Sequence, residues 1–192
     1  MQKKIVVLIA FVALVVIGLS CTTTKFTGSW KDPSFSGSPY AKILVIGIFR
    51  QPGGRNLYED IFAQQLKKRG IEAIPSHLVL PSDAKLTKDV IVQKVKEMGL
   101  DSVLLTRLVD SVTYQNIPGY YYNYWDYAQA SNAFIIQADI GYLETNFYDA
   151  KTEKLVWSGS STTQVGFESD EGVVHSATGA IANRMAEEHL IP

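Results

Sequence analysis

The chain has 192 residues, 46% of them hydrophobic and 19% charged, with 18 basic residues against 19 acidic ones. That is one domain's worth of chain with enough apolar content for a sizeable core, and its charge balance gives no net field to draw it to nucleic acid or to an anionic membrane. A single cysteine excludes an intramolecular disulfide, so the core alone must hold the fold.

In chain order, Lys3 and Lys4 come first, followed by an uninterrupted apolar run from Ile5 to Leu19. As a helix this run measures about 22 Å, short of the roughly 30 Å hydrocarbon core, which suits the h-region of a signal peptide better than a permanent span. The run stops at "VVIGLSCTTTKFTGSW", where Gly18, Leu19 and Ser20 precede the lone Cys21. This resembles the lipobox of bacterial lipoproteins, although Gly18 stands where the pattern prefers leucine. The resemblance implies cleavage before Cys21 and acylation of its sulfur and new amino group, so that the membrane is a partner through lipidated Cys21. A retained anchor helix and plain secretion are the alternatives, and lipidation best explains a lone cysteine at this place. In enteric bacteria an Asp after the cysteine retains such proteins at the inner membrane. Thr22 stands there, so the expected site is the outer membrane, with the domain in the periplasm.

Removal of residues 1–20 leaves 16 basic and 19 acidic residues, a net of −3. Residues 21–40 carry the lipidated cysteine and then a segment rich in Thr, Ser, Gly and Pro with no regular period, which reads as a tether. Its second half is expected to dock on the domain through Trp30, Phe35 and Tyr40.

Residues 41–192 read as a single α/β domain. "KILVIGIF" from Lys42 has the continuous β-branched pattern of a strand buried on both faces. "RQPGGR" follows, and then a helix with Asn56 and Glu59 as a capping pair and Gly70 as its stop. "IEAIP" is a short strand, Lys88 to Met98 a second helix ended by Gly99, and "DSVLLTRLVDSVTY" a long strand. "AFIIQADIGYLETNFYDA" and "KLVWSGSSTTQV" form a hairpin around "DAKTEK", with "WSGSS" at a strand edge, and Asp170 to Leu190 is a last helix. The expected fold is therefore α/β, a mixed sheet of β-α-β-α-β order followed by an antiparallel hairpin and a C-terminal helix.

"SWKDPSFSGSPYAKILVIGIF", "YEDIFAQQLKKRGIEAIPS", "LDSVLLTRLVD" and "LETNFYDAKTEKLVWSG" resemble, in this order, the segments of a family of bacterial envelope lipoproteins known only as a domain of unknown function. The resemblance implies a fold similar to the N-terminal domain of TolB and to envelope lipoproteins of the CsgG and penicillin-binding-protein-activator kind. It brings no catalytic residues.

The residues themselves point the same way. His77, His175 and His189 lie in different elements with no metal-ligand spacing around them, and there is no Gly-x-Ser-x-Gly elbow. No catalytic residue, metal or cofactor is expected. The best small-molecule candidate is the turn Arg50, Gly53, Gly54 and Arg55 before a helix, where an anion could bind. The plainer reading is that Pro52, Gly53 and Gly54 simply make the turn. The other oddity is residues 114–132, which hold six of the ten tyrosines, in a stretch with no Lys, Arg or His from Leu108 to Ala150. Without cations this is no nucleic-acid site. Tyr120, Tyr121, Tyr122, Tyr124, Trp125 and Tyr127 read either as contact area for an envelope protein, a glycan or an interfacial partner, or as aromatics packed on their own sheet. The functional expectation is a non-enzymatic, lipid-anchored envelope module for binding or assembly, with anion binding or catalysis at residues 50–55 as the alternative.

Overall fold

In a computed structural model of the chain, residues 24–49, 52–80, 87–109, 140–164 and 170–192 are described. The elements are β1 (Thr24–Lys31), β2 (Lys42–Ile48), α1 (Pro52–Lys68), β3 (Glu72–Pro75), a 3-10 turn (Ser76–Leu78), α2 (Lys88–Glu97), β4 (Ser102–Val109), β5 (Ile140–Asp149), β6 (Leu155–Gln164) and α3 (Asp170–Glu187). The strands form one open sheet in the order β1-β6-β5-β4-β2-β3. β2 is parallel to β3 and β4, and the remaining pairs are antiparallel.

The parallel part is buried on both faces, as its uninterrupted apolar sequence demands. Ile43, Val45, Leu104 and Phe147 pack under α1 and α3, against Tyr58, Phe62, Leu66, Ile181 and Met185. Leu44, Ile46, Val103, Leu105 and Tyr148 face the other way, against Ile91 and Val95 of α2. Helices α1 and α2 stop at Gly70 and Gly99, at φ +82° and +61°, the left-handed conformation that closes the last turn. The amides of Ile71 and Leu100 then donate back to the carbonyls of Leu66 and Val95.

Three expectations are corrected. Residues 24–31 are not tether but β1, paired with β6 from Thr24↔Thr163 to Lys31↔Trp157. The open edge of β6 supplies the hydrogen bonds, and the Thr- and Ser-rich sequence of β1 suits a neighbour of the same composition. "WSGSS" consequently lies inside the sheet rather than at its edge. Helix α1 begins at Pro52, not at Asn56, because proline is already fixed at a helical φ and gives up only an amide that a first turn leaves unpaired. The second half of the supposed tether does dock. Phe35 stacks on Tyr40 at 5.6 Å, and Tyr40 meets Phe147 edge-on at 5.0 Å.

At the β5–β6 turn, burial pushes the Asp149 carboxyl up. Hydrogen bonds from the Thr152 hydroxyl (2.6 Å), its amide (2.7 Å) and the Tyr40 hydroxyl (3.1 Å) outweigh that and hold it below the ordinary carboxylate value. A carboxyl depressed in the folded state stabilises above its unfolded pKa, and that contribution fades as pH falls through the folded value. Asp149→Asn is expected to cost about 1 kcal/mol at neutral pH. The cost should shrink as pH falls through the folded value, which urea titrations at neutral and at acidic pH will read.

Candidate functional site

Strand polarity gathers the elements of interest at one end of the sheet. β2 and β4 finish there, at Ile48 and Val109, while β1 and β5 begin there, at Thr24 and Ile140. Register makes this explicit: Thr24 pairs with Thr163, Thr163 with Gly141, Gln164 with Ile140, and Val109 with Tyr142. Helices α1 and α3 also start there, after Ile48 and Gln164. The opposite end holds Lys31, Lys42, Ser102 and the 149–154 turn, about 30 Å away along strands of eight to ten residues. In open α/β sheets the crevice at the carboxyl ends of parallel strands is the usual place for ligands, and here that is the end just described.

Its most elaborate polar feature is Glu59, which is fully buried. Helix α1 turns this side chain inward over the end of β2. Oε1 accepts from the Gly47 amide (2.8 Å), Arg55 Nε (2.9 Å) and Ser76 Oγ (2.6 Å). Oε2 accepts from the His77 amide at 2.7 Å and lies 2.9 Å from His77 Nδ1, which carries the proton in such a pair. The Arg55 Nη2 also donates to Ser76 Oγ at 2.8 Å, and His77 Nε2 lies 3.4 Å from Asp60. A carboxylate with five donors has no lone pair left for a substrate. It works as a clasp that binds α1, the end of β2 and the 3-10 turn together.

Beside it runs a chain of hydroxyls under the helices. Tyr58 donates to Thr106 at 2.8 Å, and Thr106 lies 3.1 Å from Thr145. Burial drives the Tyr58 phenol well above its ordinary value, so it stays neutral at any physiological pH. Further along the same face Thr24 Oγ1 lies 2.8 Å from Thr163 Oγ1 and 3.0 Å from Ser176 Oγ, fastening the first residue of β1 to β6 and α3. On the other face Arg107 and Glu144 make a cross-strand ion pair at 2.7 Å.

Of the residues singled out in the sequence, Gly53, Gly54 and Arg55 stand in the first turn of α1. A Cβ at Gly53 or Gly54 would meet nothing within 4 Å, so packing does not demand glycine at either position. Arg55 points inward to Glu59 and Ser76. Arg50, Cys21, Tyr120, Tyr121, Tyr122, Tyr124, Trp125 and Tyr127 lie outside the described residues. The histidines are well separated: His77 is in the clasp, His175 contacts Gln65, and exposed His189 takes a left-handed φ of 57° just beyond α3. Among the described residues no group of three or more His, Cys, Asp or Glu could hold a metal ion, and no helix is long and apolar enough to cross a membrane.

Glu59, Ser76 and His77 are the residues that sequence reasoning missed. Arg55 and Glu59 at i and i+4 were the available signal, but the spacing alone reads as a surface pair.

No protein-family model matches the sequence, and no curated protein sequence matches it. Solved structures similar in fold include the PelC dodecamer from Paraburkholderia phytofirmans, 14% identical over 88% of this chain and 99% of that chain, with a TM-score of 0.50. Lipoprotein GNA1162 from Neisseria meningitidis is 18% identical over 76% of this chain and 96% of that chain, at 0.43. The LpoB C-terminal domain from Salmonella enterica is 13% identical over 67% of this chain and 87% of that one, also at 0.43. At such identities the likeness is one of fold, and the PelC comparison carries it.

Proposed function

We propose that the chain is a lipid-anchored, non-enzymatic envelope protein whose α/β domain binds or assembles with another envelope component, at the outer membrane and facing the periplasm. The observation that carries this reading is the place of the lone Cys21, between an apolar run too short to span and a strand that begins three residues later. The alternative of an anion site or catalysis at residues 50–55 loses support from Arg55, whose guanidinium is engaged by Glu59 and Ser76. In this reading the tyrosines from Tyr120 to Tyr127, with Trp125, supply contact area. The PelC structure, similar in fold, is a dodecamer, which makes further copies of this chain one partner worth testing.

Cys21→Ala tests the anchor. Palmitate labelling should disappear, unprocessed precursor should accumulate, and the processed form should be absent from the outer-membrane fraction. One acyl chain binds a bilayer only marginally, whereas the several carried by a lipoprotein cysteine hold it stably. Unchanged processing and labelling in the variant would sink the reading.

A further inference from the structure

We infer that the face of β5, β6 and β1 turned away from α1 and α3 binds a neutral sugar around Asn146, Ser158, Ser160 and Trp30. This goes beyond the envelope reading and does not depend on acylation of Cys21.

Strand alternation sorts the side chains. On β5, Thr145 and Phe147 point toward α1, so Glu144, Asn146 and Tyr148 point the other way. Register then lays out two rows on that far face, with Asn146, Ser158 and Trp30 in one and Glu144, Ser160 and Gly28 in the next. Asn146 is the feature that points to a ligand. It is only 2% exposed, yet its Oδ1 accepts from no donor among the described residues. A buried acceptor without a donor is destabilising, and native folds keep few of them. Its register partner on β4 is Leu105, so an apolar residue would suit the place better for folding alone. An amide kept there is explained by a ligand that supplies the donor.

The surroundings fit a sugar. Ser160 and Gly28 are exposed, and a Cβ at Gly28 would meet nothing within 4 Å, so a flat ring can come close to the backbone of β6 and β1. Serine hydroxyls both donate and accept, as sugar hydroxyls do. Arg107 and Glu144 border this floor as an ion pair at 2.7 Å, polar but with cancelling charges, which gives a charged ligand no advantage. Trp30, half-buried at the end of the first row, offers a large apolar ring against which the C–H face of a pyranose packs. Because Oδ1 is shielded in the free protein, the ligand must shift the half-buried side chains beside it. Trp30, across the short Ser158, is the one placed to yield.

The test titrates the full chain, in a phosphocholine detergent that carries no sugar, with two neutral probes, chitotetraose and cellotetraose, and with the cationic de-acetylated form of the first. Amide NMR follows binding. A neutral probe should move the amides of Gly28, Ser158 and Ser160 together, and the cationic form should bind no better. In Asn146→Leu the affinity should fall about ten-fold or more, as for a lost buried hydrogen bond. The melting temperature of that variant should stay level or rise, because the unpaired acceptor is gone, whereas a residue kept for folding would lower it on replacement. Trp30→Ala should also weaken binding, and Trp30→Phe should restore most of it. Absence of shifts with both neutral probes overturns the inference and leaves a trapped water as the missing donor. Shifts confined to another part of the domain, tighter binding of the cationic form, unaltered affinity in Asn146→Leu or a lowered melting temperature in that variant overturn it as well.

Discussion

Glu59→Ala is expected to destabilise the domain by about 3 to 5 kcal/mol, the cost typical of removing one partner from a buried ionic network. The loss comes from what remains. The Gly47 amide, Ser76 Oγ, Arg55 Nε and the His77 amide and Nδ1 all turn toward a fully buried carboxylate. Removing it leaves the Arg55 charge without its carboxylate partner and the Gly47 amide buried without an acceptor, each a penalty of about 1 to 3 kcal/mol. Glu59→Gln should cost less. Its carbonyl oxygen can still accept from Gly47, Arg55 and Ser76, but its amide group must then face the His77 amide, donor against donor. Urea unfolding should rank wild type above Gln above Ala. An alanine variant as stable as wild type would show the clasp to be incidental.

This clasp also marks where the sequence stops being readable. Elements whose burial is written in their own residues were legible: β2 through its unbroken apolar run, α2 through Ile91 and Val95 with Gly99 behind them, and the β5–β6 hairpin through its turn residues. β1 was not. It is an edge strand with few apolar side chains, and only Phe26 and Trp30 pack against the two cores. Composition therefore read it as linker, although β6 needed a neighbour. Glu59 was misread for a related reason. Local rules assign a polar residue three after Asn56 to a helix cap, whereas its real partners come from β2 and from residues 76 and 77, some twelve to eighteen positions away. The gathering of the start of α1, the ends of β2 and β4 and the start of β1 at one end is a property of strand order, which no window along the chain displays.

Trp157→Ala is the second large effect, about 3 to 5 kcal/mol for a fully buried ring of this size. Trp157 sits where β1, β6 and α3 meet. Its ring centroid lies 6.3 Å from that of Phe26 on β1, and its Nε1 donates to Glu188 Oε2 at 3.0 Å just past the end of α3. Glu188 in turn accepts from Ser29 Oγ through Oε1 and from Lys31 Nζ through its carbonyl, so the tryptophan holds β1 both by packing and through Glu188. The same ring lies over Gly159, where an added Cβ would come within 2.7 Å of Trp157 Cζ2 and 2.9 Å of Phe26 Cε1. Gly159→Ala should therefore be destabilising by about 1 to 3 kcal/mol through overpacking. In the double variant the alanine methyl enters the space the indole vacates, so the combined loss should fall below the sum of the two single losses by about 1 kcal/mol or more. Strict additivity would mean that the two residues do not share this space. Hydrogen exchange adds a functional readout, because opening of β1 alone exposes the amides of residues 24–31 without unfolding β2 and β4. In Trp157→Ala those amides should exchange fastest relative to wild type.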